Sequence, residues 1–493
     1  MSDRALATSN KLAWLIAGAT VIRLLAARWI PLTEDEAYYR LWAQHLHLGY
    51  YDHPPMIAWW IRLGTTLAGD NPLGVRLLPA LGAGLATALV ASITGLFGGD
   101  PATRFRAALW YNATTTIGVG GIIATPDAPA TLFWVLTLWT LARVWAGGSP
   151  RWWLAAGAFA GLACISKYSA LFLGPGILLW LVASQRGRKS LATPWPWLAG
   201  VVAGAIFSSN LIWNAQHHWL TFAKQFGRVA PSHLQPAHLL EFLIFQALLL
   251  NPMITVLARR GAIRTWQDRQ GDAPLALPLL TALPFSLYLM FHSLHDRVQA
   301  HWPVPLFAGF VIVAALSVEA SGIPDRVRRG FIAFTLVVSG LALAYGAFPG
   351  AIAIGKLDLI QPLRGWPTLA NDIETIRARE DAQWIGTANY GAYAQLAATH
   401  RIHAPMIQVI ERARYADETA RPDFTKPGLI VDLARRLALA DVQACFAKVS
   451  PVGELKRGAP GGPFRLYAAF RVEGPKADLL KDGCPNDLGK GLR

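Results

Sequence analysis

Three consecutive carboxylates, Glu34-Asp35-Glu36, are followed at once by Ala37-Tyr38-Tyr39. A polar-apolar stretch, RLWAQHLHLG, leads from there to Tyr50-Tyr51-Asp52-His53-Pro54-Pro55. The cluster directly follows an apolar run, Leu12 to Ile30. Carboxylates at a bilayer surface between aromatics are costly unless they face water, a cation or a substrate. A carboxylate in such a place can take a proton from a hydroxyl as that hydroxyl attacks. It can equally cap the helix that follows, because acidic residues suit a first turn. The residues alone leave those two readings level.

The elements that must hold this cluster are membrane helices. Of 493 residues 53% are hydrophobic and only 15% charged, and the mean hydropathy is +0.33. About a quarter of a soluble globular domain is charged. Candidate spans lie near 12–31, 72–97, 105–123, 127–146, 152–167, 170–184, 195–214, 239–258, 275–292, 303–318 and 331–349, about eleven in all by length. No cleavage site follows the first run, so it is expected to stay as a span. With a cytoplasmic N-terminus, Arg104, Arg106, Arg186, Arg188, Lys189, Arg259, Arg260, Arg326, Arg328 and Arg329 fall inside, as the positive-inside rule requires. The segments DEAYY, YDHPP, TPDAP, SKYS, NAQHHW and HDRVQAHW then all fall outside. The net charge of +15 is spread over these short loops, which excludes a nucleic-acid-binding role because no soluble basic face carries it.

After Pro349 the pattern changes: no spanning run remains, and charges occur throughout. AQWIGT, GLIVDLA and FRLYAAFRV have strand character, and LANDIETIRARE is helical. The expected architecture is therefore a polytopic α-helical transmembrane domain over 1–349, with its first outer loop at 32–71. A small soluble α/β domain over 350–493 is expected in the periplasm. There Cys445 and Cys484 share an oxidising compartment, and pairing and two free thiols stand as equal alternatives.

TEDEAYYRLWAQHLHLGYYDHPPMIAWWI resembles the first outer loop of the bacterial protein-mannosyltransferase-like glycosyltransferases of the C-type superfamily (family 39), the group that includes the aminoarabinose transferases acting on lipid A. ATPDAPATLFW, LACISKYSALFLGPGILLWL, LIWNAQHHWLTFAKQFGR and RVQAHWPVPLF continue the likeness in the family's order over roughly 12–315; the C-terminal domain matches less specifically. The resemblance implies an enzyme of the bacterial inner membrane with a polyprenyl-phosphate sugar as donor. It implies a lipid acceptor, such as lipid A, lipopolysaccharide or another glycolipid, or a protein acceptor. It also implies inverting transfer, with Asp35 as base and Glu36 orienting the acceptor or a neighbouring group.

The chemistry asks for the same parts. One displacement inverts the anomeric centre, so no second carboxylate nucleophile is needed. The leaving phosphate gains charge and needs cations or hydrogen-bond donors. Candidates on the outer side are His53, Lys167, Arg228, Arg297 and His301, with Asn214 and His217 as neutral donors and Tyr38 and Tyr39 beside the donor sugar. Each has a plainer alternative. His53 precedes two prolines and suits a rigid turn; Lys167 suits an interfacial cation; His217 suits an interface aromatic cluster. Asp127, beside Pro126, is expected to be a helix-start residue. Glu36, Asp52 and His53 do not form a recognised metal spacing; a divalent ion is compatible with relatives of this kind, and no required cofactor is expected. No glycine-rich phosphate loop stands out, which disfavours a nucleotide-sugar donor. The competing function is a lipid-linked sugar flippase, which needs charges near the bilayer midplane; here the acids cluster in the outer loops.

Overall fold

The computed structural model describes residues 3–227, 234–267, 273–319, 321–348, 358, 360–415, 418–458 and 464–485. The chain opens with α1 (Asp3–Trp29), α2 (Glu34–Trp42), α3 (Met56–Ala68), α4 (Pro72–Leu96), α5 (Pro101–Asn112) and the single turn α6 (Thr115–Gly118). It continues through α7 (Asp127–Trp145), α8 (Trp152–Cys164), α9 (Leu173–Ala183), α10 (Gln185–Leu191), α11 (Trp195–Gln216) and α12 (Leu220–Phe226). Then come α13 (Pro236–Leu250), α14 (Pro252–Gln267), α15 (Ala276–Ser293), α16 (Val304–Leu316) and α17 (Asp325–Ala347).

The molecule divides into two compact units. The first comprises Met1–Arg28 and Leu46–Ala344; the second comprises Trp29–His45 and Tyr345–Arg493. The acidic segment at the start of the first outer loop thus packs with the C-terminal residues, not within the helical unit as the sequence expectation had it. Pro349, the expected boundary, lies outside the described residues.

The first unit is helical throughout. Among the described residues five helices are long and apolar enough to cross a membrane, or up to seven if each of two bent pairs is one span. Of the eleven spans expected from sequence, 105–123, 127–146, 152–167 and 303–318 are not among these seven by length and composition. Three of the helices there, α5, α8 and α16, have only 12, 13 and 13 residues. The expected span at 239–258 is a corner of 104° between α13 and α14. Pro252 starts the second helix, and Asn251 takes the left-handed backbone that the corner needs, with φ 87°. Its buried amide donates to Thr335 Oγ1 at 2.9 Å, and its side-chain oxygen accepts from Met253 N at 3.0 Å. The backbone groups freed by the break are in this way partly satisfied inside the protein.

Small residues set the helix packing. A Cβ on Gly157 would lie 2.2 Å from the Ala199 carbonyl oxygen, and one on Gly176 would lie 2.4 Å from that of Thr281. Glycine therefore lets α8 approach α11, and α9 approach α15, backbone to backbone.

In the second unit α18 (Trp366–Arg379), β1 (Trp384–Thr387), α19 (Tyr390–Ala398) and β2 (Met406–Gln408) precede β3 (Gly428–Leu433), α20 (Leu439–Cys445), β4 (Phe446–Gly458) and β5 (Phe464–Pro475). The strands form one sheet in the order β2-β1-β3-β5-β4. β1 lies parallel to β2 and β3, while β5 runs antiparallel to β3 and β4. Every residue of β1 and β3 is buried, the mark of central strands covered on both faces. Trp366, Leu369, Ile373 and Leu396 cover one face; Val442, Phe446 and Leu479 pack on the other. Cys445 and Cys484 are joined in a disulfide with Cα atoms 5.3 Å apart.

Candidate active site

In the second unit the acidic segment becomes a helix start with two different carboxylates. Thr33 and Glu36 form a capping box: Thr33 Oγ1 accepts from Glu36 N at 3.2 Å, and Glu36 Oε2 accepts from Thr33 N at 2.9 Å. Glu36 is fully buried and engaged with its own helix terminus. Asp35, one residue earlier, is exposed. The pairing of two catalytic acids expected from sequence is thus split by the helical turn into one buried cap and one outward carboxylate.

α2 is docked on α19. Gln395 Nε2 donates to Leu32 O at 2.8 Å, and Arg40 Nη2 lies 2.9 Å from His400 Nε2. Asn389 caps α19 by accepting from Gly391 N and Ala392 N. A Cβ on Gly391 would come within 2.6 Å of Glu34 Oε2, so glycine there lets the Glu34 carboxylate reach the positive end of α19. Tyr390, the first residue of α19, donates from its hydroxyl to Asp35 Oδ1 at 2.9 Å. Its ring meets Tyr38 edge-on at 5.3 Å, and the Arg414 guanidinium lies 4.7 Å from its centroid. Burial, then the neighbouring Asp35 charge, push the Tyr390 phenol well above its usual range. Tyr38 and Tyr39 are only 2% and 6% exposed, with their rings packed against Trp42 at 5.0 Å and 4.7 Å.

In the first unit a second charged group is assembled around Asp127. Lys167 Nζ lies 2.7 Å from Asp127 Oδ1, with side chains 12% and 9% exposed, and His301 Nε2 lies 3.5 Å from Oδ2. His53 acts electrostatically on the same carboxylate, and Lys167 lies 5.7 Å from the centroid of Trp302. Asp127 and His301 border a cavity of about 130 Å³ that Tyr111, Thr125 and Thr131 also line. Asp127 does start a helix, as expected, but its side chain gathers three cationic or basic groups.

The segment carrying His53 is held by its neighbours in the same unit. Asn210 donates to Leu48 O at 2.8 Å, Thr221 to Tyr50 O at 2.6 Å and Gln225 to Asp52 O at 2.5 Å. A Cβ on Gly49 would lie 2.5 Å from Trp213.

The remaining sequence candidates make other contacts. Asn214 is buried and donates to Tyr168 Oη and Asn210 O, a helix-packing role. His217 is exposed, stacked on Trp213 at 4.0 Å, with Nδ1 2.8 Å from Trp213 O. Arg297 is 71% exposed and pairs with Glu241. Arg228 lies outside the described residues. Among the described residues no group of three or more His, Cys, Asp or Glu side chains is placed to hold a metal ion. Sequence reasoning missed Tyr390 and Arg414, which carry no motif. Asp127 starts a helix as expected, and its ion pair with Lys167, 40 residues away in sequence, carries no local signal.

Comparison with known proteins finds these likenesses. The profile described as dolichyl-phosphate-mannose-protein mannosyltransferase matches residues 52–213. A lipid A galacturonosyltransferase of Rhizobium johnstonii is 29% identical over 403 residues, covering 79% of this chain and 83% of the relative. An undecaprenyl phosphate-alpha-4-amino-4-deoxy-L-arabinose arabinosyl transferase of Pseudomonas savastanoi pv. phaseolicola is 26% identical over 401 residues, covering 71% and 69%. The crystal structure of ArnT from Cupriavidus metallidurans bound to undecaprenyl phosphate superposes with a TM-score of 0.65 at 14% identity, covering 94% of this chain and 98% of that one. That last likeness is one of fold.

Proposed function

We propose, from the likeness to the mannosyltransferase profile and to the lipid A galacturonosyltransferase, that this chain is a glycosyltransferase of the protein-mannosyltransferase-like, C-type kind that moves one monosaccharide from a polyprenyl-phosphate donor to a lipid of the lipid A class with inversion at the anomeric carbon. The observation that carries the reading is Asp35: an outward carboxylate at the start of α2, with one oxygen held by Tyr390. Asp35 takes the acceptor hydroxyl proton as the oxygen attacks. Glu36 serves that step by fixing the helix terminus from which Asp35 projects. The departing phosphate gains negative charge; His53 and Lys167, with His301, are the cationic or basic groups assigned to it. Asp127 keeps Lys167 in place.

The isoprenoid chain suits an apolar cavity of about 420 Å³ in the helical unit, bordered by α8, α9 and α11. Gly174, Gly200 and Gly204 line it, each with nothing within 4 Å of where a Cβ would stand. Asp35 and the soluble unit are assigned to the periplasmic side on the positive-inside reading of the loop cations. A flippase would need acids within the spans, whereas the cluster Glu34–Glu36 stands after the first one.

The test uses the full-length protein in lipid nanodiscs with a panel of undecaprenyl-phosphate sugars and lipid A, products being read by mass spectrometry. Wild type is expected to make glycosylated lipid A, and Asp35→Asn to make none while still binding undecaprenyl phosphate. Full transfer by Asp35→Asn would overturn the assignment of the base. Movement of donor between leaflets without any product would favour the flippase.

A further inference from the structure

The contact between Tyr390 and Asp35 extends the proposed mechanism to the α/β unit. We propose that Tyr390 is a positioning residue for the base: its hydroxyl pins Asp35 Oδ1 and so leaves Oδ2 to take the acceptor proton. This rests on the reading of Asp35 as base.

Four observations support it. The hydrogen bond is 2.9 Å long and joins residues 355 apart in sequence, so the fold brings them together and local geometry does not. Tyr390 itself is oriented from both ends of its side chain. Its backbone begins α19, whose start is capped by Asn389, and its ring is held between Tyr38 at 5.3 Å and the Arg414 guanidinium at 4.7 Å. Arg414 in turn is fixed by Glu411, 3.1 Å from its Nε. The phenol is held in its protonated form, since burial and the Asp35 charge both oppose ionisation, so it remains a donor wherever the base is a carboxylate.

An exposed aspartate samples several rotamers, and only some point one oxygen at an acceptor. Fixing one oxygen with a preorganised donor removes that search before the substrate arrives. The bond is neutral to charged, the stronger class. No proton is transferred through Tyr390: the acceptor's proton ends on Asp35, and the phenol keeps its own.

The experiment compares wild type, Tyr390→Phe and Asp35→Asn in the full chain, measuring kcat, KM for donor and acceptor, and the thermal midpoint. Phenylalanine keeps the ring, and with it the contacts to Tyr38 and Arg414. The expected result for Tyr390→Phe is a kcat lowered by roughly 10- to 100-fold, the scale of one hydrogen bond to a charged group, with both KM values and the midpoint close to wild type. A variant with unchanged kcat, or one whose loss lies in KM or follows a lowered midpoint, overturns the positioning role. In that case the contact only docks α2. Should Tyr390→Phe fail to fold, Tyr390 is replaced by 3,5-difluorotyrosine, which keeps size and hydroxyl but ionises at lower pH. Its kcat should then fall relative to wild type as pH rises through the phenol's ionisation, and a constant ratio overturns the proposal. Asp35→Asn keeps the two ideas apart: inactive Asp35→Asn beside fully active Tyr390→Phe removes Tyr390 and leaves the base.

Discussion

Asp127 and Lys167 show what one buried charge demands of its surroundings. Both side chains are nearly enclosed and their charged atoms are 2.7 Å apart. Removing Asp127 takes the carboxylate from Lys167, and removing Lys167 leaves Asp127 only His301 and His53, where breaking a buried pair costs about 3–5 kcal/mol. Asp127→Asn or Lys167→Met should each lower the thermal midpoint of the detergent-solubilised protein markedly. The double substitution should recover much of that loss, because no lone charge remains. Equal losses in single and double variants would mean the pair is not coupled. Asp432 offers a pH-dependent counterpart in the α/β unit. It is fully buried in β3 and accepts from Ala388 N and Leu433 N, yet burial raises its pKa to about 6. An aspartate in the unfolded chain titrates near 3.9. Between those values the folded state holds the proton that the unfolded state has lost, so the contribution of Asp432 to stability is fully present below pH 4 and is lost as pH rises through 6, by about 3 kcal/mol. In urea titrations across that range, the stability of wild type relative to Asp432→Asn should decline as pH rises. An identical pH slope in both proteins would refute the assignment.

At the scale of elements, the helical unit depends on close approach. α8 meets α11 through Gly157, where a Cβ would stand 2.2 Å from a backbone carbonyl. Backbone on a packed helix cannot retreat as a side-chain tip can, so Gly157→Leu forces the pair apart and costs about 1–3 kcal/mol or more. A thermal midpoint equal to wild type for Gly157→Leu would show that α8 and α11 pack less tightly than this. α2 tells a different story. It has only nine residues, too few to be stable alone in water. Its order comes from the capping box at one end and from docking on α19, so the proposed base is presented by tertiary contacts more than by helix propensity.

For the whole molecule, the division into units places the acidic helix in the same body as the C-terminal α/β fold, and the disulfide staples that body. Cys445 and Cys484 are 39 residues apart, and closing a loop of that length restricts the unfolded chain by about 4 kcal/mol. Structural disulfides persist in oxidising compartments and are rare in the cytosol. In intact cells both cysteines should therefore resist maleimide until a reductant is added, after which the α/β unit should unfold at lower urea. Ready labelling without reductant would put this unit on the cytoplasmic side and reverse the proposed orientation.

Much of the architecture is legible in order along the chain. Apolar runs mark the membrane helices because lipid leaves backbone polar groups no partner but each other. Loop cations give an expectation of orientation, and the strands AQWIGT and GLIVDLA are visible as buried β-rich runs that became β1 and β3. The acidic cluster also stands out, since acids beside a span need a reason to be there. What the sequence leaves level is the difference between Asp35 and Glu36, neighbours of the same chemistry. A helix turns each residue by about 100°, so one carboxylate caps the terminus and the other points away. Tyr390, Arg414 and the cysteine pair are beyond sequence for a related reason: their roles lie in distances between residues tens to hundreds apart, and only packing sets those distances.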